Sequence, residues 1–224
     1  MSGRKSLRNT ILFGPLLQLM VVAAASMPPP IPAQWFYMIF LAVLGLHVYF
    51  YERDNPGERV LDTRQYSLLH APAQAGAGAL VGLGLTVPFI LFGRFSPGLA
   101  SWQDFALQAL FVAFVETVYL VIFVETVKIG DFPLGTILWP FVFGFLHVRS
   151  DILTGTISAT TGLRFLWSFL FGILFWFLYA ARKMDLGKWQ RYFGAVTSQV
   201  CHLIVNLIIL LFPLTLWGFD LFPM

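Results

Sequence analysis

Charged residues are scarce in this sequence, and their scarcity excludes most soluble proteins. Only 11% of the 224 residues are Asp, Glu, Lys or Arg, whereas 58% are hydrophobic. Soluble domains carry charge on about a quarter of their residues. The mean hydropathy of +0.78 and several runs near the ~20 apolar residues that cross a bilayer predict an integral membrane protein of the all-α class.

The sequence also has only one cysteine and a small net charge. The single cysteine, Cys201, excludes an internal disulfide and a cysteine-rich metal site. Because neighbours on a helix do not share a face, we expect Cys201 to pack in the core, away from the face of His202. The net charge of +3 is small and confined to loops, so we expect no nucleic-acid partner, only membrane lipids and membrane proteins.

The apolar runs predict a single domain, 1–224, that is a bundle of seven transmembrane helices. The first run follows Arg4, Lys5 and Arg8 and also resembles a secretory signal peptide; we favour a transmembrane helix. Residues 10–104 hold three spans, and 105–217 hold the four spans that carry the chemical motifs. The predicted spans after the first are 34–51, 73–93, 105–127, 134–148, 165–183 and 196–217.

The distribution of basic residues predicts the orientation of the bundle. With the N-terminus inside, eleven Lys and Arg lie in inner segments and three in outer ones, which favours an N-in, C-out topology. Segment 149–164 is too polar for lipid, so it is either an outer loop or a re-entrant piece. Segment 184–196 mixes basic and aromatic residues, as at an inner headgroup interface. We expect a prokaryotic cytoplasmic membrane.

One span is unusually rich in small residues. The run AQAGAGALVGLGLTVPFILFG at 73–93 allows neighbouring helices to approach closely in lipid. We therefore expect this helix to pack centrally.

Four polar residues stand inside the later spans: Glu116, His147, His202 and Asn206. An ionisable side chain at bilayer depth costs at least ~2.5–3.5 kcal/mol, so its default interpretation is a functional site with a partner. His202 and Asn206 are four residues apart and share a helix face, as do Phe143 and His147. Glu116 has no cation nearby in sequence, so its partner must come from another helix, and the two histidines are the candidates.

The other acid of the fourth span is a different case. Glu116 shares its helix face with Tyr119, whereas Glu125 is rotated by about half a turn. Glu125 lies three residues before Lys128 near the inner end of the span. We expect it to form an interfacial ion pair of small worth.

A carboxylate and two imidazoles in a dry cavity are suited to hydrolysis. The glutamate can hold a water and act as general base, while a second histidine and the Asn206 amide can donate to a developing oxyanion. The same three side chains, Glu116, His147 and His202, can instead ligate a divalent metal with water in the open position. The residues alone are compatible with both the metal-free hydrolytic site and the metal site.

The order of these motifs resembles a known family. A glutamate on one span, F-x-x-x-H at Phe143 and His147, and H-x-x-x-N at His202 and Asn206 are similar to the CPBP family, which contains the type II CAAX prenyl proteases and bacteriocin-processing proteases. The resemblance covers about 105–210. It implies an intramembrane peptidase that hydrolyses a membrane-associated protein. It also implies that Glu116 activates water with His147 as its partner, while His202 and Asn206 hold the oxyanion.

The first family motif, E-E-x-x-x-R, is only partly present. Thr117 stands at the second glutamate and Val121 at the arginine. The sequence is therefore compatible with a divergent enzyme and with a catalytically inactive member that binds and stabilises a membrane protein or a lipid. A transporter is a weaker hypothesis, because the spans show no inverted repeat of interrupted helices.

Overall fold

The computed structural model describes residues 20, 33–60, 69–93, 112–128, 132–212, 215–216 and 219–220. Within these ranges the chain is predominantly helical. Two short 3₁₀ helices span Ala181–Lys183 and Gly187–Tyr192, and a two-residue antiparallel pairing joins Thr215–Leu216 to Phe219–Asp220. The α-helices are α1 (Ala33–Asp54), α2 (Ala71–Phe92), α3 (Ala113–Thr126), α4 (Leu134–Thr154), α5 (Ala159–Ala180) and α6 (Ala195–Leu211).

Three of the described helical segments are long and apolar enough to cross a membrane: Ala71–Phe92, Leu134–Thr154 and Ala159–Lys183. The α-helical class and the membrane setting expected from composition agree with these segments. Apart from residue 20, the first predicted span lies outside the described residues, as does the start of the fourth, 105–111.

Contacts between helix termini show that successive helices alternate in direction. The amide of Gly135, at the start of α4, donates to Val127 O at the end of α3 over 2.6 Å. Lys128, just after α3, pairs with Glu58, just after α1, at 3.5 Å. Glu125 at the end of α3 pairs with Lys183 after α5. The ends of α1, α3 and α5 therefore meet the start of α4 at one end of the bundle.

That end, which we call the basic end, also holds the starts of α2 and α6. Of the Lys and Arg that the structure describes, two, Arg149 and Arg164, belong to the opposite end, which we call the far end. The other seven belong to the basic end: Arg53, Arg59, Lys128, Arg182, Lys183, Lys188 and Arg191.

Helices α2 and α6 lie side by side in parallel, in close contact through glycines. A Cβ on Gly78 would lie 2.5 Å from Thr197 O and 3.1 Å from Cys201 N, and one on Gly82 would lie 3.0 Å from Cys201 O. At the far end a Cβ on Gly93 would meet Phe212 O at 2.6 Å. Only glycine permits this approach of two backbones. The close approach expected of the small-residue helix is therefore observed, and Cys201 is fully buried. The expected central position of this helix is wrong, because its outer face is open, with Leu80 and Leu91 exposed at 74% and 68%.

Helices α4 and α5 form a hairpin, which corrects the prediction for 149–164. That segment is neither a loop nor a re-entrant piece, because α4 continues to Thr154 and α5 begins at Ala159. The turn depends on Gly155, whose φ of 70° is left-handed and whose amide bonds back to carbonyls of α4. Helices α4 and α5 are thus longer than the predicted spans 134–148 and 165–183.

The polar residues that suggested a loop satisfy one another in this hairpin. Asp151 on α4 accepts a hydrogen bond of 2.7 Å from the Thr161 hydroxyl and pairs with Arg164 on α5. Ser158 caps α5 in a reciprocal arrangement with Thr161. Polar composition therefore marks a cross-helix network at the far end instead of an unstructured segment.

Helix α3 lies at the centre of the described bundle. Most of its side chains are buried, and Val121 is completely so. Aromatic rings of its neighbours pack on it, with Tyr119 centred 5.1 Å from Phe40 of α1 and 5.4 Å from Trp139 of α4. A polar side chain on this helix is therefore surrounded by other helices.

Candidate functional site

Glu116 and His202 meet in the interior of the bundle. The carboxylate comes from the first turn of α3 and the imidazole from the middle of α6, and Oε2 lies 3.2 Å from Nε2. The two side chains are 16% and 5% exposed. Oε2 is out of line for a hydrogen bond and has no aligned donor among the described residues. The partner of Glu116 thus comes from another helix, and one acceptor of the acid remains unused.

Aromatic rings fix the orientation of His202. Phe175 of α5 stacks on the imidazole with ring centres 4.4 Å apart and planes at 26°. Phe143 of α4 approaches the same imidazole edge-on, at 5.7 Å and 71°. These rings remove water from one side of His202 and hold its imidazole beside Glu116.

His147 lies one ring away from this pair. Its Nδ1 is 2.8 Å from the carbonyl oxygen of Phe143 on its own helix, and its ring lies 4.6 Å from the Phe143 ring. A carbonyl only accepts, so Nδ1 carries the proton and Nε2 is left as the acceptor. Phe143 therefore contacts both imidazoles, that of His147 and that of His202.

This geometry differs from the roles that the family resemblance implies. Within the described part of the chain, Glu116 has an ion-pair contact with His202 and none with His147. The resemblance had made His147 the partner of the acid.

An arginine that the sequence analysis did not select lies beside the acid. Arg149 and Glu116 line one cleft of about 30 Å³, and one water needs about 10–15 Å³. The guanidinium Nη1 donates to Leu146 O at 2.5 Å, which holds the arginine against its own helix. The residues that line the cleft are Tyr37, Phe40, Val115, Glu116, Tyr119, Leu146 and Arg149.

The supporting residues of the first motif have separate surroundings. Thr117 is buried, and its hydroxyl donates to Ala113 O of the preceding turn at 2.8 Å. That hydroxyl serves its own helix and does not replace a second carboxylate. Tyr119 lines the cleft of Glu116 and is 4% exposed, as expected from their shared helix face.

Asn206 is the remaining polar residue predicted for the site. It is half-buried one turn beyond His202 on α6, and no hydrogen bond of its amide to another described residue is present. The structure thus joins Glu116, His202, Phe143 and His147, whereas the predicted contribution of Asn206 stays a prediction.

The described ranges contain no ligand set for the alternative of a bound divalent metal. No three side chains of His, Cys, Asp or Glu converge there in a way that would hold an ion. Glu116, His147 and His202 all lie in those ranges, and Phe143 packs against both imidazoles.

Glu125 forms an ion pair, but not with its sequence neighbour. It pairs with Lys183 and accepts a hydrogen bond of 2.5 Å from the Tyr179 hydroxyl. Lys128 pairs instead with Glu58. The two acids of α3 therefore differ clearly in setting: Glu125 has two fixed donors at the basic end, whereas Glu116 has an unused oxygen in the interior.

Comparison with protein-family models, with curated protein sequences and with solved structures gives no match to this chain. The family resemblance therefore rests on Glu116 and on the motifs at Phe143–His147 and His202–Asn206.

Proposed function

We propose that the chain is an intramembrane peptidase of the CPBP type, in which Glu116 activates a water that hydrolyses a peptide bond. The observation that carries the proposal is the buried contact of 3.2 Å between Glu116 and His202. Burying an acid with one oxygen unused costs free energy, so the default interpretation of such an acid is a functional site.

The proposed chemistry follows from the neighbours of Glu116. The Glu116 carboxylate accepts a proton from a water in the adjoining cleft as the water oxygen attacks the peptide carbonyl carbon. His202 lies against the carboxylate, and Arg149 at the same cleft provides positive charge for the oxyanion that develops. The proton then passes to the leaving amide nitrogen as the carbon–nitrogen bond breaks, which yields an acid and an amine.

The proposal includes a seven-span bundle with the basic end in the cytoplasm. The alternating helix directions support it, because they place seven described basic residues at one end and two at the other. Glu116 lies in the first turn of α3, nearer the far end. The substrate is a membrane-embedded or membrane-tethered protein of a prokaryotic cytoplasmic membrane.

One observation favours a second candidate function. Thr117 donates to its own helix, so the site has one carboxylate where the family motif has two. A catalytically inactive subunit that binds and stabilises a membrane protein or lipid would need only the fold.

The test compares two glutamine variants of the same helix. Glu116→Gln removes the proposed base, and Glu125→Gln is its control, since the two side chains are equally exposed at 16%. Each variant and the wild type are expressed to equal membrane levels in a bacterial host. New N-termini of membrane proteins are then catalogued by mass spectrometry, which requires no known substrate.

We expect a set of new N-termini with the wild type and with Glu125→Gln, and its loss with Glu116→Gln. Removing a general base costs about 10²–10⁴-fold in rate, so the loss should be essentially complete. If the wild type and Glu116→Gln give the same N-termini, the peptidase proposal fails. Purification of a stoichiometric partner with both variants would then support the binding subunit.

A further inference from the structure

A second cavity lies at the basic end, between the end of α5 and the start of α6. It has a volume of about 110 Å³ and is lined by Tyr179, Arg182, Lys183, Gly194 and Ala195. One water needs only about 10–15 Å³, so the space accommodates a polyatomic group. The site of Glu116 does not include any of these residues.

The walls of this cavity are fixed by hydrogen bonds between the two helix ends. The amide of Gly194 donates to Leu178 O at 2.9 Å, and the Gln190 amide group donates to Arg182 O at 2.5 Å. The connection between α5 and α6 is thereby folded back on the end of α5. These hydrogen bonds therefore define the shape of the cavity.

Two of the five lining residues, Arg182 and Lys183, are cations. Segment 182–191 carries four basic residues against the one acid Asp185. Lys183 pairs with Glu125 yet remains 50% exposed, so its ammonium group can serve a second anion. The net charge of this segment is therefore positive.

Donors of the backbone and of a buried amide add to this charge. Gly194 offers no side-chain cap to α6, and the first amides of a helix have no acceptor within it. Beside Gly194, the buried Gln74 has its Nε2 3.0 Å from the position of a Cβ. That nitrogen has no acceptor among the described residues. Gln74 lies behind the lining and is not part of it, so the two cations of the lining determine the ligand, and the group that complements them is an anion.

The surroundings identify the source of the anion. The connection exposes Trp189 at 60% and Met184 at 38%, and α5 with its extension to Lys183 is long and apolar enough to cross a membrane. Exposed tryptophan among basic residues is typical of the headgroup region, and basic pockets between membrane helices bind phosphorylated headgroups. We propose that this cavity binds the phosphate headgroup of an anionic phospholipid.

The test uses the purified full chain in detergent micelles with added phosphatidylglycerol or phosphatidylcholine, and it measures lipid retention by native mass spectrometry. The variant Arg182→Gln/Lys183→Gln removes both cations of the cavity. Its matched control, Lys188→Gln/Arg191→Gln, removes the same charge from the same segment outside the lining. A competition arm adds inorganic phosphate at millimolar concentration.

We expect one retained phosphatidylglycerol per wild-type chain and preference over phosphatidylcholine. Affinity should fall about 30-fold in the cavity variant, because each basic residue close to an anionic lipid contributes roughly fivefold, and less than threefold in the control. If the double variant does not fold, the single variant Arg182→Gln replaces it, and its lipid affinity should fall about fivefold. The charge-conserving Arg182→Lys should retain the lipid.

Three results would overturn the proposal. Equal losses in the cavity variant and its control would mean diffuse attraction to the whole segment. Equal retention of the two lipids would remove the headgroup specificity. Displacement of the lipid by inorganic phosphate at equal affinity would make the ligand a free anion. None of these outcomes depends on whether Glu116 is catalytic.

Discussion

Replacing one glycine of α2 by alanine should separate α2 from α6. At Gly78 the added Cβ would lie 2.5 Å from the backbone oxygen of Thr197, a distance that forces the helices apart. Overpacking of this kind costs about 1–3 kcal/mol. Gly84, on the same helix, has no described atom within 4 Å of its Cβ position, so Gly84→Ala is the control.

The control isolates the contact from helix propensity. Both substitutions gain up to about 1 kcal/mol because alanine favours the helix more than glycine does. The difference between the variants therefore leaves only the overpacking cost of about 1–3 kcal/mol. At 2–4 °C per kcal/mol for a chain of this size, Gly78→Ala should melt roughly 2–12 °C below Gly84→Ala.

The assay is thermal unfolding in detergent, followed by tryptophan fluorescence, since the chain contains seven tryptophans. Because α6 carries His202, we also expect Gly78→Ala to disturb the site of Glu116. Equal melting temperatures for Gly78→Ala and Gly84→Ala would show that α2 and α6 are not in backbone contact and would refute this packing.

Two further predictions concern the ends of the bundle. Asp151→Ala should lower the unfolding free energy by about 2 kcal/mol, because it leaves the mostly buried Arg164 without its carboxylate. Its control, Ser150→Ala at an exposed neighbouring position, should change the unfolding free energy by less than about 0.5 kcal/mol. The Tyr51 hydroxyl, and then Lys128, lower the pKa of Glu58 from its usual 4.5, so the stabilisation is present above pH 4.5 and is lost as pH falls through the lowered pKa. The melting temperatures of the wild type and Glu58→Gln should therefore converge in acid, and a gap that persists there would contradict this assignment.

Much of the arrangement around Glu116 follows from the sequence. An acid within an apolar run has to find a polar partner on another helix, and His202 was one of two candidates. The Gly-rich pattern also predicted a helix that approaches its neighbour closely, as Gly78 and Gly82 do with α6. These features were predictable because burial of a charge and absence of a side chain have strong local costs.

Other features depend on contacts between residues far apart in sequence. The sequence predicts that Arg149 lies in a loop, because the polar residues after it give no sign that α4 continues to Thr154. Phe175 was one ring in an aromatic stripe, and nothing local reveals that it stacks on His202. Glu125 pairs with Lys183 instead of the nearer Lys128, because α5 returns to the basic end beside α3.

The direct interaction of Glu116 with His202 is best tested by a double-mutant cycle. Unfolding free energies are measured for the wild type, Glu116→Gln, His202→Asn and the double variant, with a second cycle that pairs Glu125→Gln with His202→Asn. For side chains 3.2 Å apart we expect a coupling of about 0.5–3 kcal/mol in the first cycle, and additivity within about 0.5 kcal/mol in the second. Additivity in both cycles would mean that the acid and the imidazole do not meet, and the proposed site would then have no basis.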